Sequence, residues 1–437
     1  MYLGLDIGTT SICALVVNEK GNIVYSVTKE NNSHNNSKDK ERTQNPEIIY
    51  NVCNDIYNSV LEKYKIESIG ISGQMHGILY VDDIGEAISP LYSWQDERGN
   101  IPYKDSTYAK ELSKITGYKM ATGFGLTSIY YDFINNNIPN NASSFSTIGD
   151  YIAMKLVKRN KPLLNNTNAA SLGLFDIKTN KWDFEAIERV NLPRTLFPSV
   201  TKDIEIVGYT KDNIPVYTAI GDNQASVYGV EQDNDSIIIN IGTGSQISII
   251  TDKYSTPPLT CEYRPYFHGK YLALGCALCG GYSYKLLKDF FNSVSKSEIT
   301  YDEMNKWAED ALNSNVPTFN PLFRGTRTNP DLKASISDIT ENNFNASSFT
   351  LSILKGISNE LKKFYDLLIS VTGERKKLIA SGNAIRLNPV LRKVVEDDFK
   401  MKLNIPLHKE EAAFGAALIA AETFKNKSLK ELIKYSS

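Results

Sequence analysis

The sequence predicts an α/β fold made of two related halves, and three observations carry that prediction. Residues 2–7 read as an apolar strand that enters the glycine-hydroxyl turn Gly8-Thr9-Thr10-Ser11 and returns along 12–17. The same theme recurs at 237–241, Gly242-Thr243-Gly244-Ser245 and 246–250. Farther along each half, 69–71 leads into Ser72-Gly73-Gln74 as 378–380 leads into Ser381-Gly382-Asn383. Corresponding turns in the same order point to an ancient internal duplication. A chain of 437 residues suffices for two or three cores. The simplest division is 1–230 and 231–437, with the charged run Glu231-Gln232-Asp233-Asn234-Asp235 reading as a linker.

In the first half, strands at 2–7, 12–17 and 23–27 are joined by tight turns, the second at Gly21-Asn22, which predicts an antiparallel meander. The polar stretch 31–44, rich in Asn, Lys and Ser, reads as an exposed loop. Pro46 and Glu47 open a helix whose Ile49, Cys53, Ile56 and Val60 recur at helical intervals. Short strands follow at 68–72 and 78–81. Residues 104–160 read as mainly helical, with Asp150 at the start of an apolar helix. The Asn-rich segments 135–141 and 165–168 read as exposed turns, and 216–220 as a strand ending at Gly221-Asp222. The second half has a larger insert, in which Gly280-Gly281 precedes an apolar helix. Near its end Asn388-Pro389 caps a helix, and the alanines and Gly415 of 411–421 let a further helix approach a sheet closely.

Composition removes several classes of function. With 48 basic and 50 acidic side chains, no electrostatic footprint argues for nucleic acid or an anionic membrane as partner. Asp6 interrupts the first apolar residues, so no signal peptide is expected. The richest apolar stretch, 412–420, is far short of the roughly 20 residues a spanning helix requires. Five cysteines are too few for a disulfide framework in a chain this long, and the cytoplasm is the expected compartment. Cys276-x-x-Cys279 has metal spacing but no second pair nearby, which favours packing over zinc.

The candidate chemistry gathers at the turns. Glycine-hydroxyl turns at Gly8, Thr9, Thr10 and Ser11 and at Gly242, Thr243 and Gly244 present backbone N–H groups suited to phosphate oxygens, although each alone is equally an ordinary hairpin. The lysine of a P-loop is missing. Asp6, just before the first turn, is placed to hold a hydrated Mg2+ ion. Asp222, after a strand and a glycine, is either a helix cap or a base beside a cleft. Gln74, His76, Trp94, Gln95, Asp96 and Arg98 supply hydroxyl-binding groups and an aromatic face, a mixture suited to a polyol or sugar, or else a polar loop pair around a partly buried Trp.

Taken together, these segments resemble the FGGY family of carbohydrate kinases along nearly the whole chain. The resemblance rests on Asp6-Ile7-Gly8-Thr9-Thr10-Ser11, Gly221-Asp222-Asn223-Gln224, Gly242-Thr243-Gly244-Ser245, Ser381-Gly382-Asn383 and Ala412-Ala413-Phe414-Gly415-Ala416-Ala417, all in family order. It implies two actin-like (ribonuclease-H-like) domains, the first binding sugar and the second nucleotide, with ATP and Mg2+ in a cleft. It also implies that Asp222 is the base, that Met75, Asn223 and Gln224 lie with the sugar-binding group, and that Gly382 and Asn383 lie near adenosine. Within the family, Gly73-Gln74-Met75-His76-Gly77 is similar to both xylulokinases and sedoheptulokinases. Trp94-Gln95-Asp96-x-Arg98 and Thr147-Ile148-x-Asp150-Tyr151 are closer to the sedoheptulokinase pattern. The expectation is an ATP-dependent ketose kinase acting on sedoheptulose, with xylulose second, as monomer or homodimer. A non-catalytic sugar or nucleotide sensor on the same fold is the reading from another class, and an actin-like chaperone is a weaker one.

Overall fold

In a computed structural model describing residues 1–35, 39–327, 329 and 331–436, the chain forms two compact units. The first takes Met1–Val230, Pro265–Gly269 and Glu410–Ile433, and the second takes Glu231–Arg264, Lys270–Lys409 and Lys434–Ser437. The first unit's sheet begins with the predicted meander, Tyr2–Ile7, Ser11–Val17 and Ile23–Glu30. Tyr2–Ile7 is then joined by parallel pairing to Ser68–Gly73, which pairs in parallel with Pro215–Tyr217, and Ile206–Tyr209 closes the edge antiparallel. Strand burial follows position. Tyr2–Ile7 is apolar and buried almost throughout, as expected of a strand covered on both faces, while Ile23–Glu30 alternates between exposed and partly buried residues.

The second unit repeats the meander and its parallel neighbours, while its antiparallel edge strand follows its partner in sequence where Ile206–Tyr209 precedes its own. Tyr271–Ala277, Ser245–Thr251 and Ser236–Ile241 form the meander, Lys377–Ser381 and Leu403–Pro406 continue in parallel, and Tyr435–Ser436 closes the edge antiparallel. Cys261–Pro265 extends the other edge. A common order and direction in both sheets is what duplication requires, and it gives the two-domain ribonuclease-H-like architecture.

Several local expectations need correction. One feature was not foreseen: the helix Glu411–Lys425 lies in the second half of the sequence and packs within the first compact unit. The reason is steric complementarity. A Cβ added at Gly4 would lie 2.0 Å from the Ala413 carbonyl oxygen, one at Gly70 1.8 Å from that of Ala416, and one at Gly415 1.9 Å from that of Ala225. Glycines on both surfaces let backbone meet backbone, a contact that larger residues forbid. The stretch 31–44 is not a solvated loop, because Asn31, Ser33 and Gln44 are buried and Thr43–Gln44 pairs with Leu91–Tyr92. Residues 36–38 of that stretch lie outside the described residues. Asn165, Asn166 and Asn168 are also buried, around the short helix Asn166–Ser171. In both cases polar side chains hydrogen-bond one another inside the unit, so composition alone misreads them as surface. The strand foreseen at 216–220 is split into Pro215–Tyr217 and Ile220–Gly221, with the Thr218 amide donating to the Glu205 carbonyl between them. Glu231, at the head of the supposed linker, is fully buried.

Candidate active site

Three parallel strand ends lie side by side in the first unit. Asp6 is in register with Ser72, which is in register with Ile220, while Ile7, Gly73 and Gly221 form the next row. The chain therefore leaves adjacent strands at Gly8, Gln74 and Asp222, so Asp6 and Asp222 belong to strands two spacings, or about 10 Å, apart. Carboxyl ends of parallel strands are where α/β sheets bind ligands, because the connections diverge there.

Asp6 is partly buried at the end of its strand, where the Ser72 hydroxyl donates to its Oδ1 at 2.6 Å. Burial pushes its pKa up; the Ser72 bond opposes that shift, and the negative charge of Glu410 adds to it. A cation beside Asp6 would reverse the penalty, since an opposite charge favours the ionised carboxylate. The adjacent turn is held by a buried network. Thr9 Oγ1 donates to Gln74 Oε1 (3.1 Å) and accepts from the Trp94 indole N–H (2.9 Å). Gln74 Nε2 donates to Gln44 Oε1 (2.8 Å), Gln44 Nε2 donates to the Thr9 carbonyl (2.9 Å), and Asn31 Nδ2 donates to the Gly8 carbonyl (2.8 Å). Gln44 and Asn31 come from the stretch misread as loop. Thr10 and Ser11 complete the turn, with the Gly8 amide donating to the Ser11 carbonyl at 2.9 Å.

The residues expected at a sugar divide into two groups. Trp94 keeps 47 % of its surface exposed while its N–H is tied to Thr9, so a ring face is available for stacking. His76 is half-buried at φ 73°, stacks on Phe124 at 4.8 Å, and places Nδ1 2.6 Å from the Ser171 carbonyl oxygen. Asp96 and Arg98, by contrast, are buried and paired with each other at 2.9 and 3.1 Å, with the guanidinium 3.7 Å from the centre of the Tyr92 ring. This pair lies inside the loop that carries Trp94. Asp132, the second carboxylate on Arg98, is raised to about 6 by burial against the pull of that guanidinium. Gln74 and Met75 are buried too; Met75 Sδ is 2.8 Å from where a Cβ on Gly221 would stand.

Asp222 opens the helix Asp222–Val230 and is only partly buried; its Oδ1 accepts from the Asn223 amide at 2.7 Å. Gln224 is fully buried, donates to the Pro265 carbonyl at 3.2 Å, and leaves Oε1 without a partner. Behind Gly221, its amide donates to Thr167 Oγ1 at 3.2 Å. Sequence reasoning passed over Thr167 and Asn168. The available signal was Asn165, a capping residue ahead of a short run of small residues.

The second unit holds its own glycine cradle. The Gly280 and Gly281 amides donate to the Thr243 and Gly242 carbonyls at 2.8 Å each. A Cβ on Gly244, Gly280 or Gly281 would fall 2.5–2.9 Å from a neighbouring carbonyl oxygen, and Gly382, at φ 91°, would meet that of Ile241 at 2.5 Å. Asn383 begins the helix just after Gly382. These glycines are required by close packing of backbone on backbone, in a turn of the type whose N–H groups can hold an anion. Gly280 and Gly281 were readable only as the start of a helix; a glycine pair before a helix is the signal that links them to anion binding.

Comparison with known proteins identifies the family and fold of the chain. Residues 1–236 match the N-terminal domain of the FGGY family of carbohydrate kinases and residues 238–423 match its C-terminal domain. A mouse protein named sedoheptulokinase is 26% identical, with 95% of this chain and 96% of that protein covered. A Staphylococcus xylosus protein named xylulose kinase is 25% identical, covering 96% and 90%. Among solved structures, a ligand-bound xylulose kinase from Lactobacillus acidophilus superposes with a TM-score of 0.87 at 19% identity, covering 100% of this chain and 92% of that one. A Plasmodium falciparum glycerol kinase with ADP gives 0.83 at 24%, covering 100% and 92%. Among the described residues no helix is long and apolar enough to cross a membrane.

Proposed function

Because this chain belongs to the FGGY family of carbohydrate kinases, and is therefore a sugar phosphotransferase, we propose that it transfers phosphate from ATP to a terminal primary hydroxyl of a ketose, sedoheptulose ahead of xylulose. The observation that carries the reaction type is the row of strand ends that brings Asp6, Gln74 and Asp222 to one edge of the first sheet. Asp222 accepts the proton of the attacking hydroxyl, as its partial exposure at the head of a helix allows. Trp94 stacks on the sugar, and His76, held by Ser171 and Phe124, orients a hydroxyl. Asn223 and Gln224 lie beside the same ligand, Gln224 with an unused acceptor.

The glycine cradles at Gly8–Ser11 and at Gly242–Gly244, Gly280 and Gly281 suit phosphates, and Gly382 with Asn383 suits the nucleoside. The donor chemistry of Asp6 fits Mg2+, which favours carboxylate oxygen and retains water. When bound, the ion supplies charge neutralisation for the phosphates. Since phosphoryl transfer asks little covalent chemistry of the protein, positioning and one base suffice. Preference for sedoheptulose is supported by Trp94-Gln95-Asp96-x-Arg98 and by the mouse and human relatives of that name.

Purified protein with MgATP and a panel of sedoheptulose, xylulose, gluconate and glycerol tests the reading. The expected result is the highest kcat/KM on sedoheptulose. A clear preference for xylulose would displace the substrate while keeping the reaction, and no product from any sugar would favour a binding protein instead. Asp222→Ala should remain folded and lose at least about 10³-fold in kcat, the upper range for a general base; near-normal turnover would sink its assignment.

A further inference from the structure

A buried carboxyl stands behind the strand end that carries Asp222, and nothing in the proposed chemistry uses it. Asp150 lies on the helix Ile148–Leu156 and is 2% exposed. Its Oδ2 accepts from Thr147 Oγ1 at 2.6 Å and from Asn168 Nδ2 at 3.0 Å, and the Ala219 amide also favours its charged form. The same Asn168 amide also donates to the Ala219 carbonyl at 3.2 Å. One residue earlier in the chain, Thr167 receives the Gly221 amide. The segment leading to Asp222 is thus gripped from two sides. Strand Ser68–Gly73 pairs with Ile220 and Gly221, and the short helix Asn166–Ser171 holds Ala219 and Gly221.

A carboxyl buried this deeply costs free energy unless some other requirement retains it. An apolar residue would pack that position more cheaply, but it would leave Asn168 without the acceptor that sets its orientation. The carboxyl offers Asn168 one fixed acceptor, and Asn168 passes that constraint to the backbone three residues before Asp222.

Resting on the reading of Asp222 as the base, we propose that Asp150 is a positioning residue for Asp222, acting through Asn168 on the backbone at Ala219. Neither Asp150 nor Asn168 touches substrate, so their loss should lower kcat while leaving the KM for ATP in place. Misplacing a reacting group by about 1 Å from a remote site can cost 10²-fold. Asp150→Ala and Asn168→Ala are expected to lose that order in kcat on the sugar the protein turns over best, with ATP KM within twofold of wild type. Asp150→Asn, which keeps an acceptor for Thr147 and Asn168, should recover most of the loss.

Assays run well below each variant's melting temperature, with circular dichroism on the same samples, separate misplacement from unfolding. Should Asp150→Ala fail to fold, Asn168→Ala carries the test, since it leaves the Thr147–Asp150 bond intact. A folded Asn168→Ala with wild-type kcat, or a loss in Asp150→Ala that Asp150→Asn does not recover, would overturn the proposal. Asp222→Asn measured alongside keeps the two readings apart. If it is inactive while the Asp150 and Asn168 variants are normal, only the positioning role falls; if it is active, the base assignment falls and takes this role with it.

Discussion

Asp6 and Asn240 occupy the same place in two copies of one design. Each lies near the end of the first strand of a meander, and each is in register with a serine on the parallel neighbour, Ser72 in one sheet and Ser381 in the other. The hydrogen bond survives in both, but its direction is reversed: Ser72 donates to Asp6 at 2.6 Å, whereas Asn240 donates to Ser381 at 2.8 Å. Geometry was kept through duplication and charge was not. A carboxylate suits a cation and repels phosphate, while a neutral amide at the matching point removes that repulsion from the turn we propose for the nucleotide's phosphates. Two similar turns therefore perform different electrostatic work.

Making the two sites alike is the strongest way to break that comparison. Asp6→Asn gives the first site the second one's amide and leaves the hydrogen bond to Ser72 available. We expect kcat to fall by at least about 10²-fold, the upper end of what even the outer partners of a metal cost, with the thermal midpoint nearly unchanged. Retained activity at the same Mg2+ concentration would show that the carboxylate is not needed for the cation. The two units also differ in how a helix meets the sheet. Gly70 meets the backbone of Glu411–Lys425, whereas a Cβ on Gly275 would press on the Phe364 side chain, 2.4 Å from its Cγ. Phe364 can yield only by shifting its Cβ and Cγ, because turning the ring moves neither, but the helix carbonyl facing Gly70 stands closer, at 1.8 Å, and cannot yield at all. Gly70→Ala should cost about 3 kcal/mol and Gly275→Ala about 1 kcal/mol, bracketing the usual range for overpacking; denaturant unfolding of the two variants compares them, and equal losses would defeat the distinction.

How much of this could be read from the sequence follows the same division between backbone and side-chain logic. The two meanders were legible because glycine-hydroxyl turns between apolar strands leave a local pattern, and Ser72-Gly73-Gln74 against Ser381-Gly382-Asn383 marked their parallel neighbours. The helix Glu411–Lys425 was legible as a close-packing element, but its unit was not, because Gly4 and Gly70 are complementary to it across more than 300 residues of chain. Asn31, Gln44, Thr167 and Asn168 were hidden for another reason. A polar side chain satisfied by another polar side chain has the same composition as one satisfied by water. Asp96 and Arg98 show the converse difficulty: residues that read as ligand groups are paired with each other in the interior, and the sequence does not reveal that pairing.

Asn240→Asp probes the comparison from the other side. A second carboxylate near the Gly242–Gly244 turn should raise the KM for ATP by about tenfold, equivalent to 1.4 kcal/mol, with less effect on the KM for sugar. An equal rise in both would mean that the site in the second unit is not the nucleotide's alone.

A last comparison concerns buried titratable groups, which oppose each other in the two units. Burial raises Asp150 to about 7, against the pull of Thr147, Asn168 and the Ala219 amide. Its native state binds a proton more tightly than the unfolded chain does, so its contribution to stability is complete below 3.8 and is lost as pH rises through about 7. His408 in the second unit is lowered to about 4 by burial, with the charges of Arg386 and Lys434 adding to the shift. Its contribution is present above 6.5 and is lost as pH falls through about 4. Melting curves from pH 4 to 8 should therefore show Asp150→Asn gaining on wild type toward the alkaline end and His408→Gln gaining toward the acidic end. A relative change of about 2–4 °C corresponds to 1 kcal/mol in a unit of this size. Parallel curves for variants and wild type would mean that neither group titrates with folding, whereas gains at the same end would place the two units under one common electrostatic control.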